Sequence, residues 1–516
     1  MGDIGHSTIT VAIAGGGIAG LALATGLAKQ THISVRVYES IPSYQDVGAG
    51  LALHRNAIAA MSLVGPELRD AYFEKALSMA ADADIEMATE VILAQGKNKG
   101  QKVAELGRAK GRMSVARSDL LEGFFACLPK ETVVFGKRLT SIREMDGGQR
   151  ISIGFQDGTS AEADVLIGAD GVHSFTRSYL LGPDHPATAP KNHDAWTIYR
   201  TMVSMDEARK HIDSRWCSTV PILLGPRGHV NVIPLNKGTR LSAGVAVRGA
   251  SNPDLVSRDA SEPPKLNPDK YTDYSDEAQQ IIRLVVRDPS ASWKPADHDH
   301  APFYARGRIA VVGDAAHASL PFAGNGAAQA LEDAAALTAV FARVRSSAGQ
   351  ADMALRAYDV VRRARSQRVV DLARRLGRVY AYAEKTGKPE HDGGEEEEGE
   401  EEEGEEEEGE EEEGEEEEGE EEEEGRWLHE SPEVLGRSIA EMGRFTNEFD
   451  VAGQNREAVE LFDMLVWLDE EERRERDSVG LTRFGGASRT ESVDGLRRVN
   501  GAISFGLVNE VQGHQS

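Results

Sequence analysis

Cysteine is nearly missing from this chain: Cys127 and Cys217 are the only two in 516 residues. Two isolated thiols at that spacing build neither a disulfide framework nor a zinc cluster. The scarcity fits a reducing compartment and points to a cytoplasmic protein with no structural metal. Long apolar runs are absent too. Beyond the N-terminal segment nothing reaches the about 18 apolar residues of a membrane-spanning helix, so no span is expected. No tract of clustered Lys and Arg suggests nucleic-acid binding. Apolar residues make up 40% of the chain, a little low for a globular enzyme, and one segment accounts for it. Between Gly393 and Gly425 the sequence is almost wholly Glu-rich repeats punctuated by Gly, with 25 Glu in all. Without them the formal charge of −28 falls to −3. The acidity therefore belongs to an insert and says little about a substrate. Like charges at that density repel and bury no apolar surface, so the insert reads as a disordered or fluctuating helical segment.

What is present begins at Ile9. Val11 to Ala14 is an apolar strand signal, followed by Gly15, Gly17 and Gly20 in the order G-x-G-x-x-G. Leu21 to Lys29 is an Ala/Leu-rich helix signal, and Ser34 to Glu39 alternates as a second strand ending in an acid. Glu39 lies nineteen residues after Gly20, where a βαβ unit places a carboxylate at the ribose of a dinucleotide. Gly15 permits the turn, Gly17 admits a pyrophosphate, and Gly20 lets helix and strand pack closely. The helix N-terminus supplies free N–H groups to the phosphates. A signal peptide is the competing reading of this apolar N-terminal segment. The glycines inside its would-be core and the missing basic flank argue against it.

Further along, Asn56 to Val64 reads as helix, Ala80 to Val103 as loosely alternating strands, and Ser114 to Cys127 as a loop entering a helix with Ser118 as N-cap. Val165 to Ile167 is a buried strand that runs into Gly168, Asp170, Gly171, Ser174 and Arg177. A carboxylate and an arginine after a strand end suit a ligand site, and an N-capped strand–turn–helix explains them as well. Four short strands then follow between Trp196 and Val247, the signature of an antiparallel sheet. Ser251 to Tyr274 reads as a surface loop and Asp276 to Arg287 as an amphipathic helix. Arg308 to Val312 repeats the opening logic: strand, Gly313 and Asp314, then a loop with Gly324 and Gly326 opening an Ala-rich helix. Asp314 suits a polyol hydroxyl. His317 is read as satisfied inside its loop rather than functional. Leu355 to Arg378 is a basic amphipathic helix whose charges read as a solvated face. Arg456 to Glu472 reads as a helix that packs back on the body, and the chain beyond Ser478 as a loose tail.

Three motifs stand in one order: GGGIAG with Glu39, GADGVHSFTR, and GDAAHASLPFAGNGA. Together they resemble the FAD-dependent aromatic hydroxylases, single-component flavoprotein monooxygenases, and among them the salicylate-hydroxylase-like group. The resemblance covers about residues 8 to 380, and 430 to 475 weakly. It implies an α/β fold: a Rossmann-like FAD-binding domain, an inserted antiparallel-sheet substrate domain and C-terminal helices. The expected segments are 8–190 and 301–392 for FAD, 191–300 mainly for substrate, the insert 393–425, helices in 426–477 and the tail 478–516. Gly15, Gly17, Gly20 and Glu39 then hold the ADP half of FAD, and Gly50 and Arg117 match flavin-contacting positions. Asp170, with Gly171 and Arg177, matches a motif tied to FAD and the reduced nicotinamide. Asp314 matches the acid at the ribitol and pyrophosphate. Gly324, Gly326 and Ala327 start the helix beneath the flavin ring, next to Asn325, where the family often has Gln.

Arg200 stands where related phenol hydroxylases carry an arginine that steadies phenolate or carboxylate. The tyrosine those enzymes have 33 residues later is replaced here by Ile233. His229 matches an active-site histidine and, with an ordinary pKa of about 6.5, would relay the phenolic proton. The implied reaction is hydroxylation of a phenolic or aromatic acid with O2 and NADH or NADPH; ipso attack on a salicylate would release carbon dioxide. Two alternatives stand beside it. One is an epoxidase or a monooxygenase of a non-aromatic secondary metabolite on the same fold. The other is an acidic interaction protein with a vestigial flavin domain.

Overall fold

Ile9–Ala14 is apolar on both faces and becomes an inner strand of a parallel sheet. The structure, a computed structural model, describes residues 8–44, 50–78, 86–110, 113–217, 219–235, 238–249, 265–287, 292–345, 348–386 and 426–482. The polyglutamate insert, the loop 251–264 and the tail beyond 482 lie outside the described residues. The chain falls into two compact units, residues 1–462 and 463–516. In the first, Ile9–Ala14 pairs in parallel with Ile33–Tyr38 on one side and Val165–Gly168 on the other. Ile309–Val311 and Val133–Val134 extend this sheet, and Ala305–Arg306 closes one edge as a short antiparallel strand. Two helices, Ile18–Ala28 and Gly326–Phe341, pack on each other so closely that a Cβ at Gly26 would overlap the Thr338 side chain. Nearly every residue of both is buried, which explains their Ala-rich, non-amphipathic sequences.

A second sheet of seven strands stands beside the first. Its order is Ser292–Trp293, Thr197–Ser204, Arg240–Val247, Gly228–Leu235, Val220–Gly225, Glu86–Leu93 and Lys102–Lys110. All pairs are antiparallel except Val220–Gly225 with Glu86–Leu93. Strands from before residue 110 thus complete a sheet that the sequence pattern assigns to 191–300. The period-2 alternation divides this sheet into two faces. Tyr199, Val230, Val232, Ala243 and Val245 face a core built with Asp276–Val286. That helix is capped by Ser275, whose hydroxyl accepts from Ala278 N. Ile198, Arg200, His229, Asn231, Gly244 and Ala246 face the opposite side, into a cavity.

Three local expectations change. The helix Arg117–Ala126 starts two residues early, with Ala116 in the cap position, so Ser118 does not cap it. Within the expected surface loop, Leu266, Tyr271 and Tyr274 are buried in the core of the second sheet, and Arg227 N donates to the Tyr274 hydroxyl at 2.9 Å. The basic helix, Ala348–Tyr380, is not a solvated face: Arg362 and Arg365 are buried. The last described helix, Val451–Thr482, buries Val451, Ala458 and Phe462 in its first turns, whereas Met464 and Trp467 further along are exposed. Among the described residues no helix is long and apolar enough to cross a membrane, and no cluster of potential metal ligands occurs.

Candidate active site and cofactor cleft

The glycine loop is built by contacts that exclude side chains. Gly15 has φ +109°, and a Cβ there would overlap the Ala169 carbonyl. A Cβ at Gly20 would overlap the Gly15 carbonyl, so the helix sits directly on the strand end. A Cβ at Gly17 would meet no protein atom within 4 Å, and Gly17 is the N-cap of the buried helix. The open space lies at the N–H groups of a helix start, as a phosphate cradle requires. Gly16, which the spacing argument passed over, is constrained as well. Its N–H donates to Glu39 Oε2 at 2.6 Å and its carbonyl accepts from the Tyr44 hydroxyl at 2.6 Å. Glu39 Oε1 accepts from Ser40 Oγ and Ile41 N at 3.0 and 2.9 Å. Three of the roughly four acceptor positions of that carboxylate are therefore used, which leaves about one for a ribose hydroxyl.

A cavity of about 470 Å³ runs from this loop to the face of the seven-stranded sheet. Gly17, Gly50, Arg117, Gly171, Asp314, Gly324, Gly326, Ala327, Arg200 and His229 all line it. Gly15, Gly20, Glu39, Asp170 and Arg177 stand behind the lining. Asp170 accepts from Ser174 Oγ, Thr176 N and Thr176 Oγ1, shaping the turn ahead of Phe175–Leu181. Arg177 is fully buried, and its guanidinium donates to the carbonyls of Ala315 at 2.8 Å and Val172 at 2.5 Å. It staples the second motif to the third instead of reaching the cavity. Burial lowers its pKa to about 10, against the pull of Asp170 and Asp314.

Asp314 and Arg117 are exposed at the cavity, and neither side chain has a hydrogen bond or ion pair among the described residues. Behind Asp314 the turn is fastened from inside. Asp333 Oδ2 accepts from Gly313 N at 2.8 Å and pairs with His317 Nε2 at 2.6 Å. His317 is thus the satisfied residue that its setting suggested. Ala318 N donates to His298 Nε2 at 3.3 Å, a contact with no local sequence signal. Asp333 also accepts from Arg362 Nε at 2.8 Å, and Glu332 accepts from Arg362 Nη1 at 2.6 Å. Burial pushes the Asp333 carboxyl up, but His317 and Arg362 outweigh it and hold the group ionised below its ordinary pKa. Arg365 bridges Glu332 to the Phe445 carbonyl, and Asn325 donates to Thr446 O and Asn447 Oδ1 at 3.1 and 3.0 Å. These buried charges tie the floor helix Gly326–Phe341 to the C-terminal helix Pro432–Asn447, whose Ile439, Gly443, Thr446 and Asn447 wall the cavity. Removing one partner from such a cluster costs about 3–5 kcal/mol.

On the sheet side, Arg200 is partly buried with no counter-ion among the described residues, and its Cζ lies 4.7 Å from the Trp293 ring centre. Burial alone pulls its pKa below the ordinary arginine value. His229 is buried edge-on to Phe322 and Tyr380, with ring centres 5.4 and 5.2 Å away, and its Nδ1 has no partner among the described residues. Burial pushes its pKa down to about 4, which replaces the expectation of an ordinary value near 6.5. The ring is therefore neutral at neutral pH. Ile233 lines the cavity, leaving that wall apolar.

A family profile described as an FAD binding domain matches residues 8–373. A 6-methylsalicylate 1-monooxygenase of Aspergillus terreus is 34% identical over 394 residues, covering 73% of this chain and 84% of that protein. A salicylate hydroxylase of Pseudomonas putida is 33% identical over 387 residues, covering 72% and 86%. The chain belongs to the FAD-dependent flavoprotein monooxygenases. A salicylate hydroxylase solved as a substrate complex shares the fold of this monooxygenase, with a TM-score of 0.68 at 24% identity over 88% of this chain and 98% of that one. The residues present fit FAD. A side-chain-free space opens at a helix N-terminus, a carboxylate and an arginine without partners among the described residues face the same cleft, and a second glycine-led helix start lines it too. In this flavoprotein monooxygenase cofactor cleft and sheet face share one cavity.

Proposed function

We propose that this monooxygenase hydroxylates a phenolic or aromatic acid, in the manner of salicylate hydroxylases, with NADH or NADPH and O2 as co-substrates. The observation that carries the reading is Arg200: a cation without a counter-ion among the described residues, lining the cavity on the same sheet face as a neutral histidine. When bound, FAD would supply the redox chemistry, in which the nicotinamide's hydride reduces O2 so that one oxygen atom goes to the substrate and the other to water. The chain's own residues bind, orient and keep water out. Gly17 and the following helix start take the pyrophosphate, Glu39 a ribose hydroxyl, and Asp314 with Arg117 the polyol and phosphate between. Gly50, Gly171, Gly324, Gly326 and Ala327 let backbone approach the ring. Asp170 and Arg177 act one layer back, through the loop geometry they fix. Arg200 attracts a carboxylate or phenolate and favours the ionised form. His229, uncharged, accepts a hydrogen bond from the substrate hydroxyl. Ile198, Val220, Ile222, Ile233 and Phe322 present apolar walls that exclude water.

A screen of phenolic acids for substrate-stimulated NAD(P)H oxidation by the flavin-loaded protein tests this reading. At least one acid should stimulate oxidation and yield a product with a single atom of labelled oxygen. Arg200→Met should cut kcat/KM for that acid about tenfold or more, as expected for losing a hydrogen bond to a charged group. A preparation without bound flavin, or one indifferent to every aromatic acid, sinks the proposal. The apolar Ile233 wall favours a second reading, a monooxygenase of a non-aromatic metabolite, which the same product analysis would reveal.

A further inference from the structure

The registry of the seven-stranded sheet places Arg200 directly opposite Gly244, and Gly244 directly opposite Asn231 on the next strand. Residues directly opposite one another point to the same face, so the three form a single row across adjacent strands. All three line the cavity. The middle position has no side chain, and something leans over it: a Cβ at Gly244 would lie 2.8 Å from Asn231 Oδ1. The Asn231 amide therefore projects across the glycine gap, toward the row's cationic end. Neither the Asn231 amide nor the Arg200 guanidinium has a hydrogen bond or ion pair among the described residues. Partly buried polar groups left unpaired around a cavity are costly unless a ligand or water completes them.

We infer that Asn231 is a specificity-determining residue that, with Arg200, forms a carboxylate-binding notch across Gly244. The two backbone positions stand two strand spacings apart, roughly 10 Å. A ring-borne carboxylate fits between a long guanidinium and a short amide reaching from opposite sides. Stacking on Trp293 covers a face of the guanidinium and leaves its in-plane N–H donors free for a carboxylate. Amide oxygen and nitrogen exchange by a half-turn of the side chain, so Nδ2 can be the group presented to the anion. His229 lies two residues from Asn231 on the same strand face, next to Ala246 in the adjacent row. The acid group thus has one row and the ring hydroxyl the next, an arrangement suited to an ortho- or meta-hydroxybenzoate. This inference rests on the aromatic-acid reading and assigns the acid's binding site within it.

The test titrates the oxidised, flavin-loaded protein with 2-hydroxybenzoate and with phenol, following the flavin absorbance, so that turnover is not needed. Asn231→Leu should raise the Kd for 2-hydroxybenzoate about tenfold or more while changing the Kd for phenol less than about twofold. Gly244→Ala, which crowds the amide without touching its chemistry, should shift the same ratio in the same direction. Combined with Arg200→Met, Asn231→Leu should lose less than the product of the two single effects, because both bind one group. Unchanged flavin content and Tm confirm that either variant is folded, and the second keeps the test alive if the first is not. Equal weakening of acid and phenol, or unaltered acid binding in both variants, overturns the inference. A wild-type holoprotein that binds no hydroxybenzoate overturns the aromatic-acid reading itself.

Discussion

His229 and His298 show how far single residues depart from their free chemistry once buried. His298 accepts from Ala318 N through Nε2 and hydrogen-bonds the Asp299 carbonyl through Nδ1, which requires the neutral ring. Burial, with Arg177 nearby, pushes its pKa down to about 4, and burial alone does the same to His229. The unfolded chain titrates both near pH 6.5. Between those values the unfolded state binds more protons, so stability is lost as pH falls through the interval, at up to about 1.4 kcal/mol per pH unit for each ring. Chemical unfolding at steps from pH 7 to pH 4.5 should show this decline, and His298→Gln should flatten it by about one proton's worth. An identical slope in wild type and variant would refute the assignment. His229 was singled out in the sequence only through the family resemblance, and its charge state was not legible there, because burial by Phe322 and Tyr380 comes from distant chain. Arg177 stood out in the sequence by its motif, but only the folded chain reveals that its guanidinium donates to the Ala315 and Val172 carbonyls.

At the scale of elements, the strand–glycine–helix unit makes a prediction that separates folding from cofactor capture. Gly17 has φ −73° and open space at its Cβ position, so Gly17→Ala should keep the wild-type Tm as apoprotein yet bind FAD more weakly, by about tenfold or more, where the methyl meets the cofactor. Gly20→Ala should instead lower the Tm itself, since its Cβ would overlap the Gly15 carbonyl and force helix from strand. Thermal melts with and without added FAD distinguish the two, and equal melts for both apoproteins would contradict the packing described. This unit, the parallel sheet and the strands after Trp196 were readable from periodicity because each carries its own apolar pattern and glycine breaks. The joining of Glu86–Leu93 to Val220–Gly225 was not, since a parallel pair between segments over a hundred residues apart leaves no local mark. Nor did the helix Ala348–Tyr380 announce that Arg362 and Arg365 point inward; their partners Glu332 and Asp333 sit inside an Ala-rich helix. Asn231 was within reach, since alternation from His229 places it on the same face.

At the scale of the molecule, the insert leaves and returns at one point. Lys385 pairs with Trp427 in an antiparallel bridge, and Thr386 N donates to Arg426 O at 2.8 Å. The ends are thus fixed together whatever lies between. Replacing residues 388–425 by a four-residue Gly/Ser turn should leave flavin content and substrate affinity within about twofold and add up to about 2 kcal/mol through cheaper loop closure. Loss of flavin or of hydroxybenzoate binding on this deletion would show that the insert takes part in function. The central sheet has a further consequence, in time. Ile9–Ala14 leaves the ribosome first, yet its neighbour Val165–Gly168 follows more than 150 residues later, and Ile309–Val311, next to that strand, later still. At about 5–20 residues per second, synthesis through residue 311 takes roughly 15–60 seconds. For about the first half of that interval the glycine loop has no Ala169 carbonyl to turn against, and for all of it there is no Asp333 to steady the third motif. The earliest part of the cofactor cleft to be made therefore waits, in an unsupported conformation, for partners made about 150 to 300 residues later.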